Sequence, residues 1–536
     1  MATSTSPLGR GLTPPAPDDH GSAGAVSTRG ERRPWWLAAA DGVVAGSVAV
    51  GLSSLLGGAM TFLGLSTGTP SPLTALAGAF IDRTPPWLKD AAIATFGTHD
   101  KTALLVGMVL VLLLVSAAAG VLSRRRPTAA YVVLAIGGAL AALAVTGRPQ
   151  AGALDIAPAA IGTVVAILVL RRTGVDDAAG VAGLTRRRVL VGAGGVAGAW
   201  LGSRLDSGVG QATSSRDAVL LPVPSSPSAT PAAGAAGASL DVPGLTPWVV
   251  PNADFYRIDT AFVVPKLDTA SWQLKVVGEV EQEVTLDWKT LLSKPLMQKA
   301  VTLTCVSNEV GGDLVGNAVW TGWPVRELLA LAKPRAGADM VLSRSSDGFT
   351  AGTPIEALTD DRDALLAVAM NGEALPFEHG FPVRLVVPGL YGYVSATKWL
   401  TELKVTRFSA DQGYWTPRGW SALGPVKTAS RVDVPRDGSS VSAGKVAVAG
   451  VAWAQHRGIA SVEVQVDGGA WQTVRLAQEP TVDAWRQWVY EWDATPGEHQ
   501  IAVRATDRSG VLQPSAPAAP APNGAQGFHT ISVRVG

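Results

Sequence analysis

The chain begins with long apolar stretches that are nearly uninterrupted and changes, after about residue 205, to short segments in which apolar and polar residues alternate. Four of the apolar stretches approach the roughly 20 residues that a helix needs to cross the hydrocarbon core of a membrane. They cover residues 35–63, 102–122, 128–146 and 151–170, and a shorter run at 189–201 follows three arginines. The pattern predicts an N-terminal α-helical transmembrane region of about five helices.

Arginines lie in alternate connections between these runs. They precede the first run, separate the second from the third at 124–126, and separate the fourth from the fifth at 171–172 and 186–188. Short cytoplasmic loops carry the excess of Lys and Arg in membrane proteins. We therefore expect a multi-pass protein of the cell membrane, with a disordered cytoplasmic N-terminus at 1–33, a membrane region at 34–206, and the rest of the chain on the extracytoplasmic side. A buried helical domain in a soluble protein would leave the alternating arginines as coincidence.

The fifth run has two interpretations. TRRRVLVGAGGVAGAW, at 185–200, pairs arginines with a modestly apolar, glycine-rich core and so resembles a twin-arginine export signal, although such signals are normally N-terminal. An ordinary fifth helix with a positive cytoplasmic flank is the alternative. Both interpretations place the following domain outside the cytoplasm.

Three segments that differ in composition and in the pattern of apolar and polar residues follow the membrane region. Residues 207–247 are rich in Pro, Ala, Ser and Gly and predict a linker. Residues 248–425 mix alternating strands with a few helical patches, the clearest at 324–331 and 362–369, and predict an α+β domain. Residues 426–536 contain short, evenly spaced strands with a DGG hairpin turn, which is typical of an all-β immunoglobulin-like sandwich.

Composition narrows the possible functions. A mean hydropathy of +0.23 with 16% charged residues is too apolar for an ordinary soluble protein of 536 residues. The net charge is +1 without a broad basic face, which argues against nucleic acid as a partner. Cys305 is the single cysteine, so the chain has no internal disulfide. From its residue type alone, Cys305 could be a core residue, a nucleophile with a base such as His379, or a thiolate ligand for a soft metal.

The sequence around Cys305 resembles the molybdopterin-binding domain of the sulfite oxidase family. The matching motifs, in family order, are FYRIDTAFVVP, TLTCVSNEVGG, RSSDGFTAG, MNGEALPFEHGFPVRLVVPGLYGY and SATKWL, and residues 426–536 resemble the immunoglobulin-like dimerisation domain of that family. The resemblance implies Mo-molybdopterin as the cofactor, with Cys305 as the one protein thiolate on molybdenum.

The same resemblance implies roles for other residues. Arg257 corresponds to an anion-binding residue of the active site, and Tyr391 and Arg418 are candidates for the pocket rim. Arg384 and Lys398 also have the chemistry to bind the cofactor phosphate, although Arg384 could instead pair with Glu378, Lys398 could be solvated, and His379 could be a satisfied loop histidine. The implied cofactor contacts are Tyr256, Asp259, Asn308, Ser346, Asp347, His379, Arg384, Ala396, Thr397 and Lys398.

The sequence departs from the family pattern at the substrate side. Sulfite oxidases carry arginines just after the ligand cysteine, where this chain has Glu309 and Val310, and Val368 replaces an active-site tyrosine. A small dianion needs several convergent donors to offset its desolvation, so these differences weaken a sulfite pocket. We expect the cofactor site to be kept and the substrate site to be altered.

The predicted function is that of a membrane-anchored, extracytoplasmic molybdenum oxidoreductase. It would transfer an oxygen atom to or from a small sulfur-containing substrate, either sulfite-like or a sulfoxide. An external cytochrome-like carrier would exchange the electrons, since the membrane region offers only His99 as a haem ligand, and the sandwich could form a homodimer. The alternative is a cofactor-free surface binding protein with a decayed oxidoreductase site.

Overall fold

The structure is a computed structural model that describes residues 34–63, 65–66, 68–85, 88, 95–96, 100–148, 151–176, 186–206, 209–225 and 237–536. Three features of the sequence prediction lie outside these residues: the N-terminus at 1–33, the expected haem-ligand candidate His99, and the centre of the predicted linker at 226–236.

The N-terminal part is a bundle of helices. Its members are α1 Trp35–Phe62, α2 Pro72–Arg83, α3 Asp100–Ser123, α4 Pro127–Thr146, α5 Ala157–Asp176, α6 Arg186–Asp206 and α7 Val209–Asp217. Within the described residues, four helical segments are long and apolar enough to cross a membrane: Trp35–Phe62, Ala103–Ser123, Pro127–Thr146 and Ala153–Thr173. They coincide with the four long apolar runs. The fifth run forms α6, which is helical but is not among these four, because its arginines and glycines lower its hydropathy.

Helix α6 packs closely along α1. A Cβ atom at Gly51 or at Gly195 would collide with the backbone of the other helix, so glycine is required for this approach. Nε of Arg188, the last of the three arginines before the apolar run, lies 3.0 Å from Oδ1 of Asp41 in α1, and both side chains are buried. Arg188 therefore serves as a structural partner of α1, whatever role the neighbouring arginines have in export.

Replacing Arg188 by alanine is expected to destabilise the helical bundle by about 3–5 kcal/mol, because it removes the cation that faces the buried Asp41 carboxylate. The double variant Asp41→Asn, Arg188→Gln should regain most of this loss. Thermal unfolding of the full-length protein in detergent measures both. Arg204→Ala, at an exposed arginine of the same helix, is the control. Equal losses in the single and double variants would contradict the pairing.

The central domain contains two mixed or antiparallel sheets. One has the strand order β2-β1-β10-β5-β6, and the other has β3-β4-β7-β8 with β9 also paired to β7. The strands are β1 Gln273–Gly278, β2 Val284–Asp287, β3 Met297–Thr304, β4 Val315–Pro324, β5 Met340–Ser345, β6 Thr350–Pro354, β7 Leu365–Met370, β8 Glu373–Ala374, β9 Arg384–Val386 and β10 Leu400–Thr406. Short helices α8 Trp288–Leu292, α9 Val325–Ala332 and α10 Glu356–Thr359 connect them.

The helix predicted at 324–331 is confirmed as α9, but the helix predicted at 362–369 is wrong. That segment leads into β7, and every residue of β7 is buried. A strand covered on both faces has a continuous apolar sequence without alternation, and periodicity cannot distinguish it from a buried helix.

The C-terminal region is a sandwich of two sheets with the orders β11-β13-β17-β16 and β12-β19-β18-β14-β15. Its strands are β11 Ala429–Val434, β12 Ser440–Val441, β13 Gly444–Trp453, β14 Ile459–Val466, β15 Gln472–Thr473, β16 Arg475–Leu476, β17 Arg486–Ala494, β18 Gly497–Asp507 and β19 His529–Val535. The DGG segment joins β14 to the antiparallel β15, with Asp467 and Gly468 in the left-handed conformation that such turns require. The predicted order of helices, α+β domain and β-sandwich is therefore confirmed.

The central domain and the sandwich share one hydrophobic core. Trp320 of β4 lies in the same buried cluster as Trp453 and Trp485 of the sandwich. The indole of Trp485 donates to the carbonyl of Trp248, and the indole of Trp248 donates to the carbonyl of Trp485. This paired contact fixes the sandwich against the end of the domain that carries Cys305.

The two ends of the predicted linker are not free tethers. Arg216 of α7 donates to the carbonyls of Ala374 and Leu375 in the central domain at 2.9 Å each, and Leu240 N donates to Gln487 of the sandwich. These hydrogen bonds could not be predicted from the sequence, because the Pro- and Ala-rich composition of the segment is typical of a linker.

Candidate active site

Cys305 directly follows β3 in a tight loop. Its N–H donates to the carbonyl of Leu314, its carbonyl accepts from Asn308 N, and the Asn308 side chain accepts from Leu314 N at 2.8 Å. Asn308 therefore shapes the loop that presents the sulfur. Burial raises the pKa of the Cys305 thiol, only partly opposed by hydrogen bonds from Ser307. A raised pKa disfavours an activated nucleophile, whereas a metal ion can displace the thiol proton outright.

Arg384, the first residue of β9, is a buried cation of the central domain. Its guanidinium donates to the carbonyls of His379, Leu385 and Ala396 at 3.2–3.4 Å and lies over the Trp320 ring. Burial lowers the pKa of Arg384 to about 10. Among the described residues it pairs with no carboxylate, so the alternative pairing with Glu378 is wrong.

Lys398 is a second buried cation. Its Nζ lies 2.8 Å from Oδ2 of Asp259 and donates to the carbonyl of Glu378, and the residue is only 8% exposed, so the solvated alternative is wrong. Asp259 also pairs with the partly exposed Arg257 at 3.0 Å. Burial lowers the pKa of Lys398 to about 8, although the Asp259 carboxylate opposes this effect.

Lys398 makes the stability of the cofactor-free protein depend on pH. The folded lysine loses its proton near pH 8, while an unfolded lysine keeps it to about pH 10.4. Between these values the unfolded state binds more protons, so the free energy of unfolding should rise with pH, by about 2 kcal/mol from pH 8 to pH 10. Chemical unfolding of full-length protein from a host that makes no molybdopterin would measure the slope. The slope should be lost in Lys398→Gln, and its persistence there would contradict this account.

His379 and Tyr256 lie against Phe255. The His379 Nε2 is 3.0 Å from the carbonyl of Asn252, so this nitrogen donates, and burial lowers the pKa of the imidazole to about 4. His379 is therefore neutral and has the backbone partner expected of a satisfied loop histidine on this side of the ring. The Tyr256 ring stacks on Phe255, and burial raises the pKa of its hydroxyl, which therefore keeps its proton.

The loop after β5 contributes Ser346 and Asp347. The Ser346 hydroxyl is buried and has no hydrogen-bond partner among the described residues. Asp347 lies 3.5 Å from the Thr260 hydroxyl, and burial raises the pKa of its carboxyl. A buried hydroxyl without a partner costs free energy, which a bound polar ligand would offset.

The segment 396–398 contributes hydrogen bonds within the protein through a backbone carbonyl and a hydroxyl group. Ala396 offers its carbonyl to Arg384, and the Thr397 hydroxyl lies 2.7 Å from that of Ser343. A Cβ atom at Gly380 would lie 3.0 Å from that of Lys398 and 3.1 Å from that of Arg384. Glycine at this position, which has a positive φ, allows the two cation-bearing segments to converge.

The sandwich holds the Cys305 loop from the other side. Gln455 donates to the carbonyl of Thr302 and to the hydroxyl of Thr304, Arg431 donates to the carbonyl of Gly312 at 2.7 Å, and His529 packs on Gly311. These residues are not recognisable from the sequence. They are more than 100 positions from Cys305 in the chain, and no local motif marks them.

The two remaining candidates for the pocket rim, Tyr391 and Arg418, lie in different surroundings. Tyr391 lines a cleft beside the Cys305 loop, and burial raises its pKa to about 12. Arg418 stacks on Tyr414 and donates to the carbonyl of Asp82, at the end of α2. Val368 is fully buried in the hydrophobic core of the domain.

Comparisons with known proteins agree with this geometry. Residues 261–415 match the oxidoreductase molybdopterin binding domain, and residues 420–522 match the Mo-co oxidoreductase dimerisation domain. Mitochondrial sulfite oxidase of Homo sapiens is 29% identical over 318 residues, which cover 50% of this chain and 57% of that protein. Sulfite oxidase of Arabidopsis thaliana is 28% identical over 329 residues, with 82% of that protein covered.

Among solved structures, the sulfane dehydrogenase SoxCD from Paracoccus pantotrophus has a TM-score of 0.47 and 23% identity, and covers 53% of this chain and 81% of that chain. The aligned part of the chain spans about half the length of the mammalian sulfite oxidases that it matches.

The chain therefore contains a molybdopterin-binding oxidoreductase domain followed by a domain of the Mo-co oxidoreductase dimerisation type. Over these domains the chain is similar to proteins of the sulfite oxidase family.

The residues present fit this cofactor. Among the described residues, Arg384 is a buried cation bound by carbonyl groups and by no carboxylate, and Ser346 is a buried hydroxyl without a partner, so each has unused capacity for an anionic or polar ligand. Cys305 offers the thiolate that soft metals prefer. The thiol and the cations are fixed by the surrounding structure rather than by the ligand.

Proposed function

We propose that this protein is a membrane-anchored, extracytoplasmic molybdenum oxidoreductase that transfers an oxygen atom to or from a small sulfur-containing substrate. The observation that carries the proposal is the single buried cysteine at the end of β3, in the same domain as the buried, carboxylate-free Arg384. The proposal assigns residues 34–206 to the anchor, 248–425 to the cofactor domain and 426–536 to dimerisation.

The residues of the site have different proposed roles. Cys305 ligates molybdenum, Arg384 and Lys398 bind the cofactor phosphate, and Ser346 donates a hydrogen bond. Tyr256, Asn308, Asp347, His379, Ala396 and Thr397 shape the cofactor site, and Asp259 orients Arg257 and Lys398 by pairing with both. The molybdenum cofactor supplies two-electron redox chemistry with oxygen-atom exchange, while the protein supplies position and electrostatics.

The proposed anchoring has support in a contact between the helical region and the catalytic domain. Asp82 of α2 pairs with Arg148, accepts from the Tyr414 hydroxyl at 3.4 Å, and accepts through its carbonyl from Arg418. Tyr414 in turn packs on Phe349 in the loop that carries Ser346. We infer that α2 lies on the extracytoplasmic side and orients the cofactor domain at the membrane surface.

The proposed electron partner is an external carrier. Residues 34–206 contain one histidine, His99, and an intramembrane haem b commonly needs two axial ligands. A dimerisation domain in the chain supports a homodimer as the assembled form.

Metal analysis and redox assays of the full-length protein test the proposal. Protein from a molybdopterin-competent host, purified in detergent, should contain close to one molybdenum per chain and should turn over sulfite or a sulfoxide with an artificial redox dye. Protease accessibility of residues beyond 237 in intact cells tests the sidedness. Protein that contains no molybdenum, although the host loads other molybdoenzymes, would overturn the proposal.

A further inference from the structure

Strand β3, which leads directly into Cys305, lies at one end of the strand order of its sheet. The sandwich covers the outer edge of this strand near its end. Thr302 N donates to the carbonyl of Asp483 at 2.9 Å, and Trp485 N donates to the Thr302 hydroxyl at 2.7 Å. An outermost strand otherwise presents unpaired backbone groups to solvent. The position of the end of β3 is therefore set by the sandwich as well as by the neighbouring strand β4.

Gln455 of the sandwich extends this contact to the residue that directly precedes Cys305. It lies in the connection between β13 and β14, and its side chain is buried. Its amide nitrogen donates to the carbonyl of Thr302 at 2.9 Å and to the hydroxyl of Thr304 at 3.1 Å. One side chain thus fixes the end of β3 at two points.

A second glutamine of the sandwich has the same burial but a different hydrogen-bond pattern. The side-chain carbonyl of Gln487 accepts from Leu240 N and its amide nitrogen donates to the carbonyl of Thr246, at 2.7 Å each. In Gln455, by contrast, the amide oxygen is buried and has no hydrogen-bond partner among the described residues. A buried oxygen without a donor lowers stability. The presence of Gln455 is explained if the placement of β3 and Cys305 matters more to the protein than this loss.

We propose that Gln455 is a positioning residue that holds the Cys305 sulfur at its place on molybdenum, so that the sandwich is part of the metal centre. This inference rests on the proposed function. The peptide link between residues 304 and 305 has fixed geometry, so a displacement of Thr304 is passed on to Cys305. Ligand distances in metal sites lie within about 0.2 Å of their standard values, and groups that orient a ligand tune the metal. Without its two hydrogen bonds to Gln455, the end of β3 would move by more than this margin.

The test replaces Gln455 by methionine in the full-length protein, because methionine is similar in length and flexibility but cannot donate a hydrogen bond. Gln487→Met is the matched control. It removes two hydrogen bonds from an equally buried glutamine of the same domain, but these hold residues 240 and 246 instead of β3. Thr304→Val is a second variant, which removes one acceptor of Gln455 without a change in the sandwich.

Two measurements report on the position of the sulfur. The first is the electron paramagnetic resonance spectrum of the partly reduced molybdenum centre in holoenzyme purified in detergent. The second is the rate at which a thiol reagent modifies Cys305 in protein from a host that makes no molybdopterin. Cys305 is the single cysteine of the chain, so this rate refers to one thiol.

We expect Gln455→Met to shift the spectrum and to speed the modification of Cys305 about tenfold, because the loop opens more readily when β3 loses both hydrogen bonds. Thr304→Val should act in the same direction by a smaller factor. Gln487→Met should lower the thermal unfolding temperature by a similar amount and change neither the spectrum nor the rate.

Equal effects of the two methionine variants would overturn this inference alone. An unchanged spectrum and rate in Gln455→Met, in protein with stoichiometric molybdenum, would do the same. Thr304→Val decides the question if Gln455→Met does not fold, and its own failure to change either quantity would also count against the inference. Wild-type protein without molybdenum overturns the proposed function itself.

Discussion

Replacing Cys305 by serine should lower the rate of dye-linked turnover at least about 100-fold while leaving the fold intact. Loss of groups that merely orient metal ligands typically costs 10–100-fold, and here the ligand itself is removed. Serine has nearly the size of cysteine, so the backbone hydrogen bonds with Leu314 and Asn308 that form the loop should persist. A hydroxyl is, however, a poor ligand for a metal that prefers sulfur.

Three measurements on the Cys305→Ser protein separate ligation from a disturbed loop. Turnover should be lost, the thiolate-to-metal absorption band should disappear, and the thermal unfolding temperature should stay close to that of the wild type. Ser307→Ala is the control, because Ser307 is exposed in the same loop and its hydrogen bond lowers the pKa of the thiol only in part. A serine variant with wild-type turnover would contradict the role of Cys305 as the metal ligand, whereas a wild type without any turnover would favour the cofactor-free binding protein.

The sequence was sufficient to predict the features that depend on local composition. Four helices that are long and apolar enough to cross a membrane coincide with the apolar runs, because the length and the composition of a run can both be read directly from the sequence. The α+β domain and the sandwich were predicted from short motifs and strand spacing. The buried strand β7 was mistaken for a helix, since LLAVAM has no alternation. The Asn371-Gly372 pair that follows it, which forms the hairpin turn to β8, was the signal that could have identified the strand.

Pairing between distant charges was the part of the site that the sequence did not reveal. Lys398 is bound to Asp259, which is 139 positions away, and Arg431 of the sandwich supports the Cys305 loop from 119 positions beyond Gly312. Which cation receives a carboxylate depends on where the segment before β1, which carries Asp259, lies against Lys398. As a result, Lys398 enters the site already neutralised, while Arg384 remains without an anion among the described residues.

The contrast between these two cations suggests how the site binds its cofactor. A buried cation satisfied only by carbonyls costs several kcal/mol of desolvation free energy in the empty protein. A phosphate beside Arg384 would recover that cost and could be bound bidentately, whereas Lys398 would have to share its proton donors with Asp259. Arg384 is therefore expected to contribute more to cofactor retention than Lys398.

Replacing Arg384 by glutamine is accordingly expected to lower the molybdopterin content of the purified full-length protein at least about tenfold. The cofactor-free protein should change in stability by no more than about 1 kcal/mol, because the relief of desolvation offsets the hydrogen bonds lost to His379, Leu385 and Ala396. Pterin fluorescence after acid release and chemical unfolding measure the two quantities. Arg384→Lys, which keeps the charge without the bidentate fork, should lie between the wild type and the glutamine variant.

The matched control is Arg362→Gln, at an arginine of the same domain that is paired with Asp360 by three hydrogen bonds of 2.8–2.9 Å. Its loss should destabilise the fold and leave the cofactor content of the surviving protein unchanged, which is the opposite of the pattern at Arg384. The prediction would be contradicted by an Arg384→Gln protein that keeps its full cofactor content and unfolds more easily than the wild type. Arg384 would then stabilise the fold through its hydrogen bonds to the three carbonyls, and no anionic ligand would be needed to explain its burial.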